Sequence, residues 1–430
     1  MVIGMNYQKN TLLLLILLAG WLGAGRGIGA EPDAVLDWTR CVEIAARQNP
    51  QLQAAEFGVI GADARVDQAS GARLPQVQAS ASTRRSGQDD QDTAESFGLG
   101  LSASQQLFDA GRTRNAVDQA TVQRDRAFHG LRDTSAEIRY QLRVAFVRVI
   151  QAIDQQAIAR QILGRREQST QLVRLRYEVG REHLGSLLTA EAKEADATLA
   201  LRSAGRNVEV TRRQLATLLG WEDLGTRTVT GNLDVVLSAD VQPEFAAIAI
   251  RSPVLAQAEA DQTDAGIALD SSRADRWPSV SLGADLGRSG SEWPSESDSW
   301  STSLRLSLPL FEGGSAVAAV RRAEATRAAA AARVTQTYQS LVSQLERRWT
   351  AFQDAAERVA IRRQYRAASE TRSTIAETQY SNGTLTFDNW VIIESEFVDA
   401  ERALINAQTD AMVAEADWIR IVGGTLDDER

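Results

Sequence analysis

Val280, Leu282, Ala284 and Leu286 alternate with Ser281, Gly283, Asp285 and Gly287. Further on, Trp300, Thr302, Leu304, Leu306 and Leu308 alternate with Ser301, Ser303, Arg305 and Ser307. A period of two predicts strands with one apolar face and one polar face. The same pattern occurs earlier, with Val77, Ala79 and Ala81, then Phe97, Leu99, Leu101 and Ala103. Strands are therefore expected in two pairs, over about 76–106 and about 279–309. Polar, Gly- and Ser-rich stretches join each pair, Ser86 to Glu95 and Ser289 to Asp298. Strands of ~10 residues with polar connections suit transmembrane β-hairpins.

Elsewhere the apolar spacing is three and four. Ile138, Leu142, Ala145, Val149 and Ala152 form one seam, and Val334, Tyr338, Leu341, Leu345, Trp349 and Phe352 another. Both are coiled-coil seams with many small residues. No proline lies between Pro75 and Pro243 or after Pro309, so long helices are unopposed there. A helix from Gly111 to Glu178 would be about 100 Å long at 1.5 Å per residue. Tyr177-Glu178-Val179-Gly180 and Tyr380-Ser381-Asn382-Gly383 break these helices, because glycine suits a left-handed helix end. Helical pattern resumes at once, which predicts helical hairpins over about 111–220 and about 314–423.

These features occur twice, 203 positions apart. Asn49-Pro50-Gln51-Leu52 returns as Ser252-Pro253-Val254-Leu255, and Leu74-Pro75-Gln76-Val77 as Trp277-Pro278-Ser279-Val280. The offset never changes, which indicates duplication of one large structural unit. The chain divides into repeats over 31–220 and 244–423, with an inter-repeat segment over 221–243 and a short tail over 424–430.

Composition adds a compartment. Residues 1–30 read as a secretory signal peptide, with Lys9 before the apolar run Thr11 to Leu18 and Gly29-Ala30 at its end. The alternative, a membrane anchor, fails on length, since a spanning helix needs ~20 apolar residues. Cleavage would take the formal charge from −9 to about −11, and an acidic chain argues against nucleic acid as a partner. Cys41 is the only cysteine, so no disulfide forms within the chain, and a buried, inert thiol is expected. The context Trp38-Thr39-Arg40-Cys41 lacks the small and apolar residues of a lipoprotein site. His129 and His183 have no spaced ligand set, so no metal site is expected. No nucleophile–base arrangement is readable, so no catalysis is expected.

With no other apolar run long enough, any crossing of a membrane must use strands. Four strands cannot close a barrel, since small membrane barrels begin at about eight, and open edges cannot face lipid. A barrel would have to be shared between chains. A soluble sandwich is the competing reading, but the helical pattern leaves no second sheet to complete it.

At this point the chain resembles the TolC-type outer-membrane factors of Gram-negative export systems. Leu107-Phe108-Asp109-Ala110-Gly111-Arg112 and Pro309-Leu310-Phe311-Glu312-Gly313-Gly314, each between a strand and a long helix, carry the resemblance, together with the two tip phrases. The resemblance implies a mainly α fold with membrane β: duplicated long antiparallel helical hairpins plus four strands per chain. Three such chains would share a twelve-stranded barrel in outer-membrane lipid, continued by an α-helical tunnel in the periplasm. The implied function is a passive exit duct for efflux or type I secretion, without cofactor. It would dock on a periplasmic adaptor (membrane fusion protein) and an inner-membrane pump of RND or ABC type. A periplasmic coiled-coil adaptor or scaffold without a pore is the alternative. By position, the adaptor would meet Val179, Gly180 and Arg181 at one tip and Asn382, Gly383 and Thr384 at the other. Many members carry acids six and nine positions after the second tip glycine. Here those positions are Asn389 and Ile392, a departure from the pattern, with Asp388 and Glu394 as nearby carboxylates. Asp388, Asn389, Ile392 and Glu394 are thus the candidate pore-entrance residues.

Overall fold

The computed structural model describes residues 35–87, 94–235, 242–294 and 297–429. The expected signal peptide over 1–30 lies outside them. In chain order the elements are α1 (Trp38–Gln48), α2 (Pro50–Gly71), β1 (Gln76–Ser86), β2 (Ala94–Phe108), α3 (Arg112–Glu178) and α4 (Leu184–Leu218). The second half supplies α5 (Phe245–Ile250), α6 (Pro253–Ala274), β3 (Ser279–Gly290), β4 (Ser297–Ser307), α7 (Ser315–Ser381) and α8 (Phe387–Val422). A short 3-10 turn, Asp427–Glu429, follows.

The two strand pairs form a single antiparallel sheet in the order β1-β2-β3-β4. Its register sorts the side chains by chemistry. Ala79, Leu101, Leu286 and Trp300 form one cross-strand row, and Ser80, Gly100, Gly287 and Ser299 the next, on the opposite face. On the polar face glycine stands opposite serine: a Cβ at Gly100 would lie 2.9 Å from the Ser80 Oγ, and one at Gly283 2.8 Å from the Ser303 Oγ. Serine thus occupies the space a side chain would take, and this face stays flat. Two boundaries differ from expectation. β2 continues past 106 to Phe108, with a register shift between Gln106 and Phe108. β4 stops at Ser307, short of 309, where Pro309 has no N–H to give a ladder.

Each pair of strands runs directly into a helix of 67 residues, α3 or α7. Both begin on a glycine in the left-handed region, Gly111 at φ 91° and Gly314 at φ 86°. Asp109 secures the first start, accepting from the N–H groups of Gly111 at 3.0 Å and Thr113 at 2.7 Å. Burial of the carboxyl would raise its pKa, but these bonds, one from the Thr113 hydroxyl and nearby Arg112 win and hold it below the ordinary value. α2 and α6 sit beside the upper parts of α3 and α7, with α2 on α3, and α6 on both α3 and α7. Patterning did not place this pair of helices, because their apolar residues are spread around the helix. Lower down the helices lie in the order α4, α3, α8, α7.

The main core sits at the junction of these layers. It joins Cys41 and Val42 of α1, Ile138, Leu142 and Phe146 of α3, Leu215 of α4, and Leu224 and Val229 of the inter-repeat segment. That segment is tied in by a parallel bridge between Leu36 and Val229. Cys41 is fully buried. Burial, then nearby Asp37, pushes its thiol up to about 12, so it is inert at neutral pH. A second core stacks Trp349, Phe352 and Trp418 against the short helix α5. Among the described residues no helix is long and apolar enough to cross a membrane.

Candidate functional site: paired hairpin tips below a two-faced sheet

The α3–α4 and α7–α8 turns come together at one end of the molecule. Gly180 at φ 74° and Gly383 at φ 78° make the turns. Tyr380 fills the space between the hairpins and is fully buried. Its ring stacks on Trp390, with centroids 4.4 Å apart and planes 12° from parallel, and the Arg176 guanidinium lies 4.7 Å above its centroid. Arg176 also donates from Nη1 to the Tyr380 carbonyl at 2.9 Å. The Tyr380 hydroxyl donates to Glu182 Oε2 at 3.1 Å. The other Glu182 oxygen accepts from the Ser186 hydroxyl at 2.9 Å. One side chain of each hairpin therefore closes a contact on the other.

Electrostatics follow the geometry. Burial alone would raise the Glu182 pKa, but hydrogen bonds from Ser186, the His183 N–H and Tyr380 outweigh it and the carboxyl titrates below its ordinary value. Tyr380 shifts up, first by burial and then by the Glu182 charge, and stays protonated. His183 caps α4, its Nδ1 accepting from the Ser186 N–H at 3.1 Å. No group of His, Cys, Asp and Glu among the described residues could hold a metal.

The six expected adaptor-contact residues, Val179, Gly180, Arg181, Asn382, Gly383 and Thr384, are all exposed, Val179 at 70%. The two tips differ in character. Leu175, Val179, Leu184 and Leu188 leave the first apolar at its surface, whereas Ser381, Asn382 and Thr384 make the second polar. Of the entrance candidates, Asp388, Asn389 and Ile392 are exposed together on one side of α8. Glu394 is not with them. It is 6% exposed and takes the Ser373 hydroxyl at 2.5 Å inside the α7–α8 interface. The reason is helical phase: at 100° per residue, 394 falls on the face of Phe387 and Trp390, which is the packed one. Arg176, Glu182 and Trp390 escaped the sequence reading as a cluster. The available signal was the tyrosine that opens both tip phrases.

At the other end, a furrow of about 710 Å³ on the apolar face of the sheet is lined by Leu99, Leu101, Leu286 and Trp300. Its lining carries no convergent polar groups beyond the Arg288–Asp298 ion pair at 2.6 Å. The polar face carries one carboxylate at mid-height, Asp285, which accepts from the Ser301 hydroxyl at 3.3 Å.

A sheet apolar on one face, fused through left-handed turns to helices of about 100 Å, defines a subunit of the outer-membrane channel class. The sequence pattern of the family described as outer membrane efflux protein matches residues 41–221 and 247–424. The chain belongs to that family and is a protein of the outer membrane that extends into the periplasm. It is 26% identical over 458 positions to the outer membrane protein OprJ of Pseudomonas aeruginosa, covering 95% of this chain and 90% of that protein. It is 21% identical over 425 positions to the outer membrane efflux protein BepC of Brucella suis biovar 1, covering 98% and 91%. Among solved structures, the open state of the Neisseria gonorrhoeae MtrE outer membrane channel has the same fold. The TM-score is 0.78 at 20% identity over 91% of this chain and 90% of that one.

Proposed function

We propose that three copies of this chain form the exit duct of a tripartite efflux or type I secretion system. The carrying observation is the two-faced sheet running straight into α3 and α7. Its Leu and Trp rows suit lipid, and its Ser and Gly rows suit a water-filled lumen. The two unpaired edges, β1 and β4, require partners, because an open edge cannot sit in hydrocarbon. A twelve-stranded barrel shared by three chains removes both edges. The duct does no chemistry and takes no cofactor; solutes are driven by the inner-membrane pump, of RND or ABC type.

The tips are the docking end. Val179, Gly180, Arg181, Asn382, Gly383 and Thr384 are exposed at the far end from the sheet, where a periplasmic adaptor would meet them. Asp388, Asn389 and Ile392, just beyond the second tip, are the surface nearest the entrance. The adaptor-or-scaffold reading does not suit a chain with two hairpins fused to one four-stranded sheet.

Fractionation tests the proposal. A heat-modifiable trimer in the outer membrane, whose deletion abolishes export and whose restoration recovers it, is the expected result. A soluble periplasmic monomer would sink it.

A further inference from the structure

The apolar face of the sheet changes its chemistry along the strands. On β3, Val280, Leu282, Ala284 and Leu286 are followed on the same face by Arg288. Arg288 stands opposite Asp298 of β4 and forms a two-point ion pair with it, Nε to Oδ1 at 2.6 Å and Nη2 to Oδ2 at 3.0 Å. On the other strand pair, Arg85 and Glu95 are opposite each other on that face, 3.4 Å apart. Both pairs lie at the end of the sheet away from α3 and α7. Charge on a lipid face is costly at mid-bilayer and tolerated near the interfaces, so the two pairs mark a boundary of the apolar band. Spacing agrees. Trp277, 63% exposed just before β3, suits the opposite interface. From there to Arg288 is about 26 Å along the membrane normal, at ~3.3 Å per residue and a tilt of ~45°, against an apolar band of ~25 Å. Since α3 and α7 leave the sheet toward the periplasm, the charged end meets the outer leaflet.

We infer that the Arg288–Asp298 pair and the furrow it lines hold the phosphorylated, acylated glycolipid of the outer leaflet, with a phosphate on Arg288 and an acyl chain along the furrow; this rests on the reading of the sheet as part of a lipid-embedded barrel. A guanidinium carries five N–H donors. Asp298 takes one from Nε and one from Nη2. The remaining three, two on Nη1 and one on Nη2, have no partner among the described residues. The open Nη1–Nη2 edge is the fork that receives a phosphate at two points. Asp298 already holds the side chain in place, so binding orders little that was free. The Arg288 side chain is half exposed and the Asp298 carboxylate more so, which leaves carboxylate lone pairs open to a divalent cation that bridges to a second phosphate.

The furrow supplies the other half of the contact. Leu101, Leu286 and Trp300 belong to one cross-strand row, and Leu99, Arg288 and Asp298 to the next row on that face. All six line the furrow. Apolar surface and an ion pair therefore adjoin, as an anionic amphiphile requires. A free phosphate would use only the ion pair, and a neutral acyl lipid only the furrow. One row further out on the same face, the Phe97 ring packs on Trp293 with centroids 6.2 Å apart, an aromatic pair suited to headgroup level. A glycerophospholipid also carries phosphate and acyl chains. The position at the outer-leaflet end favours the glycolipid, because that leaflet is built of it.

Mass spectrometry of bound lipid tests the inference on full-length protein purified from outer membranes in mild detergent. The probes added back are bisphosphorylated lipid A, the same lipid A without its phosphates, and phosphatidylglycerol. Wild-type protein is expected to retain lipid A. Arg288→Gln combined with Asp298→Asn removes the pair without leaving a lone charge and should retain about tenfold less, since hydrogen bonds to a charged group are lost. Arg288→Lys keeps the charge but not the fork; it should insert normally and retain an intermediate amount. Arg305→Gln, on the polar face, should bind as wild type does. Retention at the wild-type level by both Arg288 variants would overturn the site, and so would an equal loss in Arg305→Gln. Equal binding of dephosphorylated lipid A would overturn the phosphate contact. Equal binding of phosphatidylglycerol would overturn the choice of the glycolipid. Inserted wild-type trimers that carry no lipid A would overturn this inference alone, whereas a wild-type chain found monomeric and outside the membrane would overturn the barrel reading beneath it.

Discussion

Tyr380 holds the two hairpins together by every part of its side chain. Trp390 covers one ring face, Arg176 reaches the ring and the carbonyl, and Glu182 accepts a hydrogen bond from the hydroxyl. Tyr380→Phe removes only the last of these. It leaves Glu182 short of one donor and is expected to cost about 1 kcal/mol locally. Glu182 also sets the acid limit of the contact. A carboxyl held below its ordinary value of about 4.3 stabilises the fold fully above that value and loses its contribution as pH falls through its own lower pKa. Hydrogen-exchange protection factors at the tips should therefore be flat from about pH 7 to 5 and fall only below about pH 4. Glu182→Gln should abolish that acid step; an unchanged profile would assign it to another group. The glycines of the turns were legible in the sequence because positive φ leaves few alternatives. The Tyr380 cluster was not, since Tyr380 and Glu182 lie 198 positions apart. Glu394 was misplaced for a different reason: proximity in sequence to Asp388 says nothing of helical face.

At the scale of elements, the strands were readable because a sheet with one apolar face writes its period directly into the chain. Their ends were not, since a bulge at Leu107 and a proline at 309 act through hydrogen bonding and not through hydrophobicity. The two faces make opposite demands. Leu304 lies on the face of Leu306 and Trp300, and Ser303 on that of Ser301 and Arg305. Leu304→Asp should reduce the amount of inserted, heat-modifiable protein sharply, because a charge facing mid-bilayer lipid costs up to a few kcal/mol. Ser303→Asp should insert normally, since its carboxylate meets lumen water. Equal insertion of the two variants, read by outer-membrane fractionation, would reverse or abolish the assigned faces. The helical turns set a similar contrast between folding and coupling. Gly383 has open space around it, with the Arg176 Nη2 3.9 Å from where a Cβ would stand. Its φ of 78° makes any other residue strained by about 1 kcal/mol. Gly383→Trp should thus still fold and insert while blocking the tip surface. Robust export by that variant would count against docking at this tip.

At the scale of the whole molecule, one exposed side chain would count three times in the proposed trimer. Around a threefold axis the three copies of Asp388 would form a ring, provided that the face of α8 bearing Asp388, Asn389 and Ile392 turns toward the opening. The chain itself favours that orientation. The opposite face of the helix is already filled by Phe387, Trp390 and Glu394 against α7. Asn389 and Ile392, at the neighbouring exposed positions, are uncharged and add no charge to the field of Asp388. Carboxylates in a narrow opening with low-dielectric walls concentrate cations and exclude anions. Asp388→Asn keeps size and removes three charges from the assembly. In planar bilayers the wild-type channel should prefer cations and be blocked by multivalent cations from the tip side. The variant should lose most of both while keeping its conductance at high salt, where charge is screened. Arg181, exposed at the other tip, is the natural comparison, since its neutralisation removes a positive ring and should raise cation preference if it reaches the same opening. If Asp388→Asn leaves selectivity unchanged, this face of α8 meets a neighbouring helix, and the entrance is closed by packing alone, with the Tyr380–Trp390 stack as its fixed centre.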